Sequence, residues 1–355
     1  MSINEKDTSV ILADVNTLSA ILATKVDPTA DLIPHSPTGP SDSDSFYSLS
    51  YLTGDGYKFT VLLHMIVLNK PCPPGPISML AISVLDETAR VPSYYFSKEF
   101  LDPCLVKTEI SSAGLGIRMV SDDRTRPLGY LYGTVDQLHI EGHIIDDNQQ
   151  SIDIMLTLHG LGPTFPYLGS GIIPFPGGLN YEYAFPRMKT SGQLTIQETS
   201  YEVNGITWFE REWGHIAACR WTWINIQLTD GVALAIWDEH ESATVSGKRV
   251  GGRSFGTILD SDGNLTVTTA EIQELTFWES PDGERKYANS WKVTIPGKTE
   301  LNLRTLVDGQ EIVSVIPRIE AKCDVWGSYD GRDATGAAFV EAGDIPPLST
   351  IGPGS

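Results

Sequence analysis

Apolar and polar residues alternate with a period of two through most of this 355-residue chain. The alternating segments are rich in β-branched and aromatic residues, which is typical of strands with one buried face. They lie at 46–52, 57–68, 77–85, 138–145, 152–158, 193–196, 201–209, 221–228, 232–237, 301–306 and 319–326. So many short strand-like segments predict an all-β fold and leave little of the chain for helices.

Turn-forming residues separate these segments. Gly54-Asp55-Gly56, Asp230-Gly231, Asp262-Gly263 and Asp282-Gly283 tolerate positive φ and are typical of hairpins. No long amphipathic helix competes, although short helices are expected within 8–22 and 97–101. Hairpin-connected strands at short spacing predict barrels or sandwiches.

The length is sufficient for two domains. Residues 160–180 (GLGPTFPYLGSGIIPFPGGLN) are dense in Gly and Pro and cannot form long regular structure. We therefore expect the crossover between domains there, with an N-terminal β-domain at 1–170 and a C-terminal β-barrel domain at 171–355.

The negative charge of the chain disfavours some classes of binding partner. Asp and Glu number 45 against 25 Lys and Arg, a formal net charge of −20, which repels phosphate backbones and anionic lipids. No segment approaches the roughly 20 apolar residues that span a bilayer. The acidic N-terminal segment also lacks the basic start of a secretion signal. The sequence thus predicts a cytoplasmic protein without nucleic-acid or membrane partners, and its four dispersed cysteines are expected to be reduced.

All eight tryptophans lie in the second half of the chain, and five of them fall within residues 208–237. On a strand, Trp221 and Trp223 share one face, as do Trp208, Glu210 and Glu212. Such a concentration of indoles favours a pocket wall for a flat or polyene molecule. The alternative is a packed barrel core with some Trp at its rim.

The run Glu210-Arg211-Glu212 is unusual because aromatic residues flank it on both sides. If the carboxyl groups point inward, burial would raise their pKa and keep a proton available near neutrality. Arg211 would then order a carboxylate without touching substrate. The alternative is an ion pair that only joins neighbouring strands.

The remaining reactive residues point to no cofactor chemistry. His64 lies within a strand-like segment, where a core or pocket histidine is expected rather than a metal ligand. No cluster has metal-ligand spacing, and neither a nucleophile elbow nor a phosphate-binding loop occurs. The sequence therefore predicts no metal and no cofactor.

Three segments resemble a known group of proteins. They are YEYAFPRMKTSGQLTI, YEVNGITWFEREWG and RWTWINIQLTDGVALAIW. These resemble the lipocalin-like proteins related to carotenoid 1,2-hydratases, in which a Tyr-rich strand and an Arg before a TSG turn precede W-[FM]-[DE]-[RH]-x-W-[GS] and W-x-W. The matching positions are Tyr181, Tyr183, Arg187, 190–192, 208–214, Trp221, Trp223, and Leu228 with Asp230-Gly231.

The resemblance implies two packed lipocalin-like antiparallel β-barrel or sandwich domains, with substrate bound in or between them. Fungal Diels–Alderases that form decalins share this two-domain architecture, and residues 77–96 and 322–336 are similar to theirs. The residues that we expect in the pocket are Glu210, Tyr183 and Glu212 as catalytic groups, and Tyr181, Trp208, Trp221, Trp223, Trp237 and His64 as substrate-binding groups.

Three functions fit this pattern. The leading hypothesis is a cofactor-independent cyclase of the Diels–Alderase type that folds a small apolar polyene of a secondary-metabolite pathway. The second is a hydratase or acid-catalysed isomerase in which Glu210 or Glu212 protonates a double bond. The third is a lipocalin-like carrier that binds an apolar compound without converting it.

Overall fold

The structure is a computed structural model that describes residues 25–35, 42–72, 75–88, 94–101, 107–111, 114–121, 126–145, 149–160, 162–175, 178–215, 218–241, 253–314 and 316–345. These residues form 23 strands and one three-residue 3₁₀ turn, Tyr167–Gly169. Every pair of neighbouring strands is antiparallel. The predicted all-β class is confirmed.

The first thirteen strands form one sheet. They are β1 (Ser43–Gly54), β2 (Tyr57–Cys72), β3 (Gly75–Asp86), β4 (Tyr94–Leu101), β5 (Lys107–Ile110), β6 (Leu115–Val120), β7 (Pro127–Thr134), β8 (Gln137–Ile145), β9 (Ser151–His159), β10 (Phe165–Pro166), β11 (Ile172–Phe175), β12 (Gly178–Ile196) and β13 (Thr199–Gly214). Their order is β4-β3-β2-β1-β13-β12-β9-β8-β7-β6-β5, and β10 and β11 pair with β12.

The last ten strands form a second sheet. They are β14 (Cys219–Leu228), β15 (Ala233–Glu241), β16 (Arg253–Leu259), β17 (Leu265–Thr269), β18 (Glu271–Glu279), β19 (Lys286–Ile295), β20 (Thr299–Thr305), β21 (Glu311–Ile312), β22 (Arg318–Tyr329) and β23 (Arg332–Asp344). Their order is β17-β16-β15-β14-β23-β22-β20-β19-β18, and β21 pairs with β22.

Buried apolar side chains form three cores. One lies inside the first sheet and includes Ile140 and Leu156, and one lies inside the second and includes Trp291. The third joins the two sheets, with Trp208 from the first and Trp223 from the second. Strands next to the joining core are therefore buried on both faces, which removes the polar outer face that most strands of a small barrel keep.

The predicted hairpin turns are present. Asp55 (φ 54°) and Gly56 (φ 83°) connect β1 to β2, where both turn residues need positive φ. Gly231, Gly263 and Gly283 also have positive φ and follow β14, β16 and β18. The Asp-Gly dipeptides thus indicate strand ends correctly in both sheets.

The chain passes from the first sheet to the second between Gly214 and Cys219. The crossover between domains that the sequence predicts at 160–180 stays a prediction. That Gly- and Pro-rich segment forms β10, the 3₁₀ turn and β11, and its two strands pair with β12 of the first sheet. Because β12 and β13 continue the first sheet, the sheet boundary does not coincide with the predicted domain boundary at 170/171.

A bulge in β12 lies where hydrogen bonds connect the two sheets. The register of β12 against β13 shifts between Phe185 and Met188. There Arg187 donates from Nε to Oε1 of Gln227 at 3.0 Å and from Nη2 to the carbonyl of Leu228 at 3.2 Å. The Arg of the sequence motif thus connects β12 of the first sheet with β14 of the second.

Only one of the two expected helices falls in the described part of the chain. The first, at 8–22, lies outside the described residues. The second, at 97–101, is wrong, because Tyr94–Leu101 is strand β4 and pairs with β3. A five-residue segment forms too few helical hydrogen bonds to offset the free-energy cost of helix nucleation. Pairing with the neighbouring strand β3 provides its hydrogen bonds instead. In the described ranges no helix is long and apolar enough to cross a bilayer.

Candidate active site between the two sheets

A cavity of about 80 Å³ lies between the two sheets. Its lining residues are Ser43, Ser45, His64, Ile66, Leu68, Met79, Phe175, Glu212, Cys219, Trp221, Trp237, Ile316, Arg318, Glu341 and Ile345. Most of them are apolar, and the ionisable groups are gathered on a few strands.

The register of the first sheet explains how these polar groups meet. On β1, Ser45 pairs with Glu212 of β13. The next residue on the same face, Tyr47, pairs with Glu210 of β13 on one side and with His64 of β2 on the other. Because alternate residues of a strand share a face, all five side chains face the second sheet.

Two glutamates lie deepest behind the cavity. Glu182 of β12 is 0% exposed and Glu210 is 6% exposed. Trp237 donates its indole N–H to Glu182 Oε2 at 2.9 Å, and Trp208 donates to Glu210 Oε2 at 3.0 Å. The hydroxyl of Tyr167 donates to the same Glu210 oxygen. The hydrogen bonds to these carboxyls therefore come from indole and phenol groups and not from cations.

Both carboxyls resist ionisation. Burial is the largest cause that raises the pKa of Glu182 well above its ordinary value and that of Glu210 to about 8. The neighbouring Glu210 carboxyl raises the pKa of Glu182 further. The pair therefore binds protons more readily than exposed glutamates do.

Glu212 pairs with Glu182 across the β12–β13 ladder and lines the cavity itself. The side-chain amide of Asn180 donates to its carboxyl oxygen Oε1. Burial raises the pKa of Glu212 to about 7, and the Asn180 hydrogen bond only partly offsets this effect. The Glu212 carboxyl therefore carries a proton over much of the range below neutrality and presents it to an apolar cavity.

The second sheet contributes a further group of charged side chains, Arg318, Glu320 and Glu341. Arg318 Nε lies 2.9 Å from Glu320 Oε1 and 3.8 Å from Glu341 Oε1. Burial, followed by the nearby Glu320 carboxyl, raises the pKa of Glu341 to about 7. His64 of the first sheet approaches the same group, with Nδ1 3.9 Å from Glu320 Oε1.

His64, Glu320 and Glu341 each offer a potential metal-ligand atom, and these atoms lie within 4.8 Å of one another. Arg318 already supplies a positive charge at the Glu320 carboxylate. This arrangement favours an ion-pair network over a cation site, because the guanidinium would compete with an ion for the same oxygen. The absence of a metal stays a prediction.

Two of the predicted tryptophans reach the cavity. Trp221 and Trp237 line it, whereas Trp208 and Trp223 are buried behind it, 0% and 2% exposed. The rings of Trp208 and Trp223 pack edge to face with centroids 6.1 Å apart. Trp223 donates to the hydroxyl of Tyr167 at 3.0 Å. The buried indoles thus orient the carboxyl pair and do not form a stacking surface.

These features lie in a region that known proteins share. Residues 170–342 match the AttH-like family. This region holds Glu182, Glu210 and Glu212, together with Trp221 and Arg318. The predicted resemblance to the lipocalin-like superfamily is confirmed.

Two relatives are similar in sequence. Kievitone hydratase from Fusarium solani subsp. phaseoli is 24% identical over 285 residues, which are 77% of this chain and 73% of that protein. Dehydratase asqC from Emericella nidulans is 23% identical over 216 residues, 56% of this chain and 60% of that protein. The chain thus spans less than two thirds of the dehydratase.

Solved structures show the same fold. A protein assigned as AttH from Nitrosomonas europaea superposes with a TM-score of 0.70 at 17% identity, over 90% of this chain and 97% of that chain. Kievitone hydratase from Nectria haematococca gives 0.69 at 21% identity, over 90% and 93%. CghA with Sch210972 gives 0.50 at 12% identity, over 91% and 98%.

The structure does not bring Tyr181 and Tyr183 to the cavity. Both face the core of the first sheet, where Tyr181 stacks on Trp213 with centroids 5.4 Å apart. The hydroxyl of Tyr183 donates to the carbonyl of Pro28 at 3.2 Å. On this strand it is the residue between them, Glu182, that faces the second sheet.

Arg211 lies beside a carboxylate, that of Asp44. Its Nη1 lies 2.7 Å from Asp44 Oδ1, and both side chains are buried. The guanidinium also lies 3.7 Å from the centre of the Phe46 ring. Because Arg211 faces the core of the first sheet, Glu210 and Glu212 on the opposite face have no cation from their own strand.

Several site residues are missing from the sequence prediction. Tyr167 lies in the Gly- and Pro-rich segment, where the sequence predicts a crossover between domains. Glu320 lies between Arg318 and Lys322 in RIEAKC, and Glu341 follows two apolar residues in FVEAGD. Neither glutamate has the aromatic residues on both sides that single out Glu210 and Glu212. For Ser45 the sequence holds no comparable signal.

Proposed function

We propose that the protein is an enzyme that adds water to, or removes water from, a carbon–carbon double bond of a small, mostly apolar compound. The observation that supports this most is Glu212, a carboxyl group that lines an apolar cavity and whose pKa burial raises to about 7. An acid of this kind is protonated near neutral pH and can transfer its proton to an alkene carbon.

The sequence relatives support the same class. One is a hydratase and the other a dehydratase, and the reactions that these words describe are the two directions of one equilibrium. The sequence alone favoured cyclisation. The group of buried carboxyls around the cavity gives proton transfer the stronger support, since a pericyclic step needs no such acid.

In the proposed mechanism, Glu212 gives its proton to one carbon of the double bond, and positive charge develops on the neighbouring carbon. The aromatic faces of Trp221 and Trp237 line the same cavity and can stabilise that charge. Water then adds to the cationic carbon and loses a proton, which restores the Glu212 acid.

Glu210 has an indirect role in this mechanism. It does not line the cavity, and its oxygen accepts hydrogen bonds from Tyr167 and Trp208. After burial, the negative charges of Glu341 and Glu239 oppose ionisation of Glu212, and Glu210 is not among the groups that raise its pKa. Glu210 is therefore a positioning residue rather than the acid itself.

The substrate would be an apolar compound with at least one polar group. Ile66, Leu68 and Met79 form an apolar side of the cavity, whereas the Arg318–Glu341 side can bond a carbonyl or hydroxyl group. The net charge of −20 disfavours anionic substrates. We propose no cofactor, nucleic-acid or membrane partner for this chemistry.

A second candidate is intramolecular [4+2] cyclisation of a polyene. The apolar walls of the cavity could hold a flexible chain in one reactive conformer. Protonated Glu212 and Glu341 could each donate a hydrogen bond to an activating carbonyl. The resemblance of the sequence to decalin-forming Diels–Alderases supports this reading.

Mass spectrometry of a strain that lacks the gene separates these candidates. For a hydratase, the accumulating compound is lighter than the normal product by one water, and for a dehydratase it is heavier by one water. A linear isomer of the product would instead support cyclisation. If purified protein binds the accumulating compound but leaves it unchanged, the protein is a carrier and the proposed function is wrong.

A further inference from the structure

A second proton-transfer group lies beside Glu212. Ser45 Oγ is 2.9 Å from Nε2 of His64, and both side chains line the cavity. They are 5% and 6% exposed, so bulk water does not compete freely for this contact. The other ring nitrogen of His64, Nδ1, faces Glu320 of the second sheet at 3.9 Å.

The order hydroxyl, imidazole, carboxyl is one by which proteins make a hydroxyl group or a bound water more basic. A carboxylate near Nδ1 favours the tautomer with its proton on Nδ1. Nε2 then accepts from the Ser45 hydroxyl. The oxygen of Ser45 keeps a free lone pair that can accept a hydrogen bond from water in the cavity.

We propose that Ser45 and His64 bind the water that adds to the double bond and take its proton, while Glu212 supplies the other proton. This inference rests on the proposed function and adds a base to its acid. Glu320 acts as a positioning residue, because it faces the ring nitrogen away from Ser45.

The proton count balances. As the carbon–oxygen bond forms, one O–H bond of water breaks and its proton passes to Ser45 Oγ, while the original hydroxyl proton of Ser45 passes to Nε2 of His64. Glu212 gives its proton to the neighbouring carbon. The product has gained one water, and the protein is left with an imidazolium and a carboxylate.

The pairing of β1 with β13 also provides a path by which the protons return to their starting positions. Ser45 lies directly opposite Glu212 on the neighbouring strand. Opposed side chains on one face have Cβ atoms about 5 Å apart, a span that one hydroxyl or one water can bridge. The proton on His64 can return to Glu212 through Ser45, so each turnover starts from the same state. In dehydration the same steps run backwards.

The first test needs no substrate. Two-bond ¹H–¹⁵N correlation spectra of the full chain, labelled at histidine, report which ring nitrogen of His64 carries the proton, and H64Q assigns its signals. We expect a neutral ring protonated on Nδ1, with an Nε2 signal that changes in S45A. A ring protonated on Nε2, or on both nitrogens, at the pH of activity would overturn the inference.

The second test uses the compound that accumulates in the deletion strain. S45A and H64Q should lower kcat by about 10²–10⁴-fold with little change in KM, the range typical of a lost general base. S45T retains a hydroxyl group and should recover part of the rate. S48A is the matched control, since Ser48 lies on the same strand but donates to the Leu63 carbonyl on the opposite face.

The E212Q variant separates this inference from the proposed function. If E212Q is inactive while S45A and H64Q keep wild-type kcat, water needs no help from Ser45 and His64, and the inference fails alone. If E212Q keeps wild-type kcat, the proposed acid is wrong. Thermal melting of each variant shows whether a lost rate reflects a lost fold.

Discussion

Gly343 of β23 lies directly opposite Trp221 of β14, and the indole occupies the space where a side chain at 343 would be. A Cβ atom at Gly343 would lie 2.6 Å from Trp221 Cη2 and 3.0 Å from Arg318 Cβ. Both neighbours line the cavity. The missing side chain at 343 therefore determines the position of one cavity wall.

Substitution of Gly343 tests this relationship. In G343A the added methyl group displaces the Trp221 ring, because such a contact is closer than carbon atoms can approach. We expect about a tenfold loss of affinity for the compound that accumulates in the deletion strain, measured by quenching of tryptophan fluorescence. G162A is the control, since nothing lies within 4 Å of that position. Equal affinity in the two variants would contradict the assignment of this wall.

Stability should depend on pH through the cavity carboxyls. The pKa values of Glu212 and Glu341 are about 7 in the folded protein, against an ordinary value of 4.5. The folded state therefore binds more protons than the unfolded state between these values, and the free energy of unfolding falls as pH rises from 4.5 to 7. Each group contributes less than about 1.4 kcal/mol per pH unit.

Urea titrations at several pH values measure this slope. The double variant E212Q/E341Q should show a flatter dependence than the wild type, because neither amide titrates. The slope should not vanish, since burial also raises the pKa values of Glu182 and Glu210. A slope that is identical in variant and wild type would show that both carboxyls are ionised throughout.

The hydrogen bond from Trp237 to Glu182 should contribute measurably to the free energy of unfolding. W237F removes the only indole donor seen on Glu182 in the described structure and leaves a buried carboxyl with one bond fewer. The expected loss is about 1.5–3 kcal/mol in the free energy of urea unfolding. W326F is the control, because Trp326 is 47% exposed and should cost far less. Equal losses in the two variants would argue against the bond.

The buried Arg211–Asp44 pair should contribute more than an exposed one. In R211M the Asp44 carboxylate loses its buried partner, and we expect a loss of about 3–5 kcal/mol. R118M breaks the exposed pair with Glu109 and should cost about 0–1 kcal/mol. Equilibrium unfolding of both variants compares them, and similar costs would place Arg211 in contact with water.

The sequence predicts much of this architecture because its signals are local. Alternation places Trp208, Glu210 and Glu212 on one face of β13 and Phe209, Arg211 and Trp213 on the other, as the structure has them. The Asp-Gly turns mark the hairpins for the same reason. Neither signal depends on contacts between distant parts of the chain.

The prediction fails where both faces of a strand are buried. In the Tyr181-Glu182-Tyr183 segment of β12, the tyrosines enter the core of the first sheet and the glutamate faces the second sheet. Alternation cannot decide between these orientations, since neither face meets water. The same limit hides Ser45, whose partners come from β2 and β13 through long-range pairing.

The rate of E212Q in deuterium oxide, in the direction that adds water, tests most directly whether Glu212 is the acid of the cavity. E202Q is the control, since Glu202 is exposed on the same strand and its bond from Gln193 can be replaced by an amide. We predict that wild type and E202Q hydrate the compound that contains the double bond and place one deuterium on carbon, while E212Q is slowed by at least about 100-fold. Hydration by E212Q at the wild-type rate, or a wild-type hydration product without deuterium on carbon, would contradict this role of Glu212.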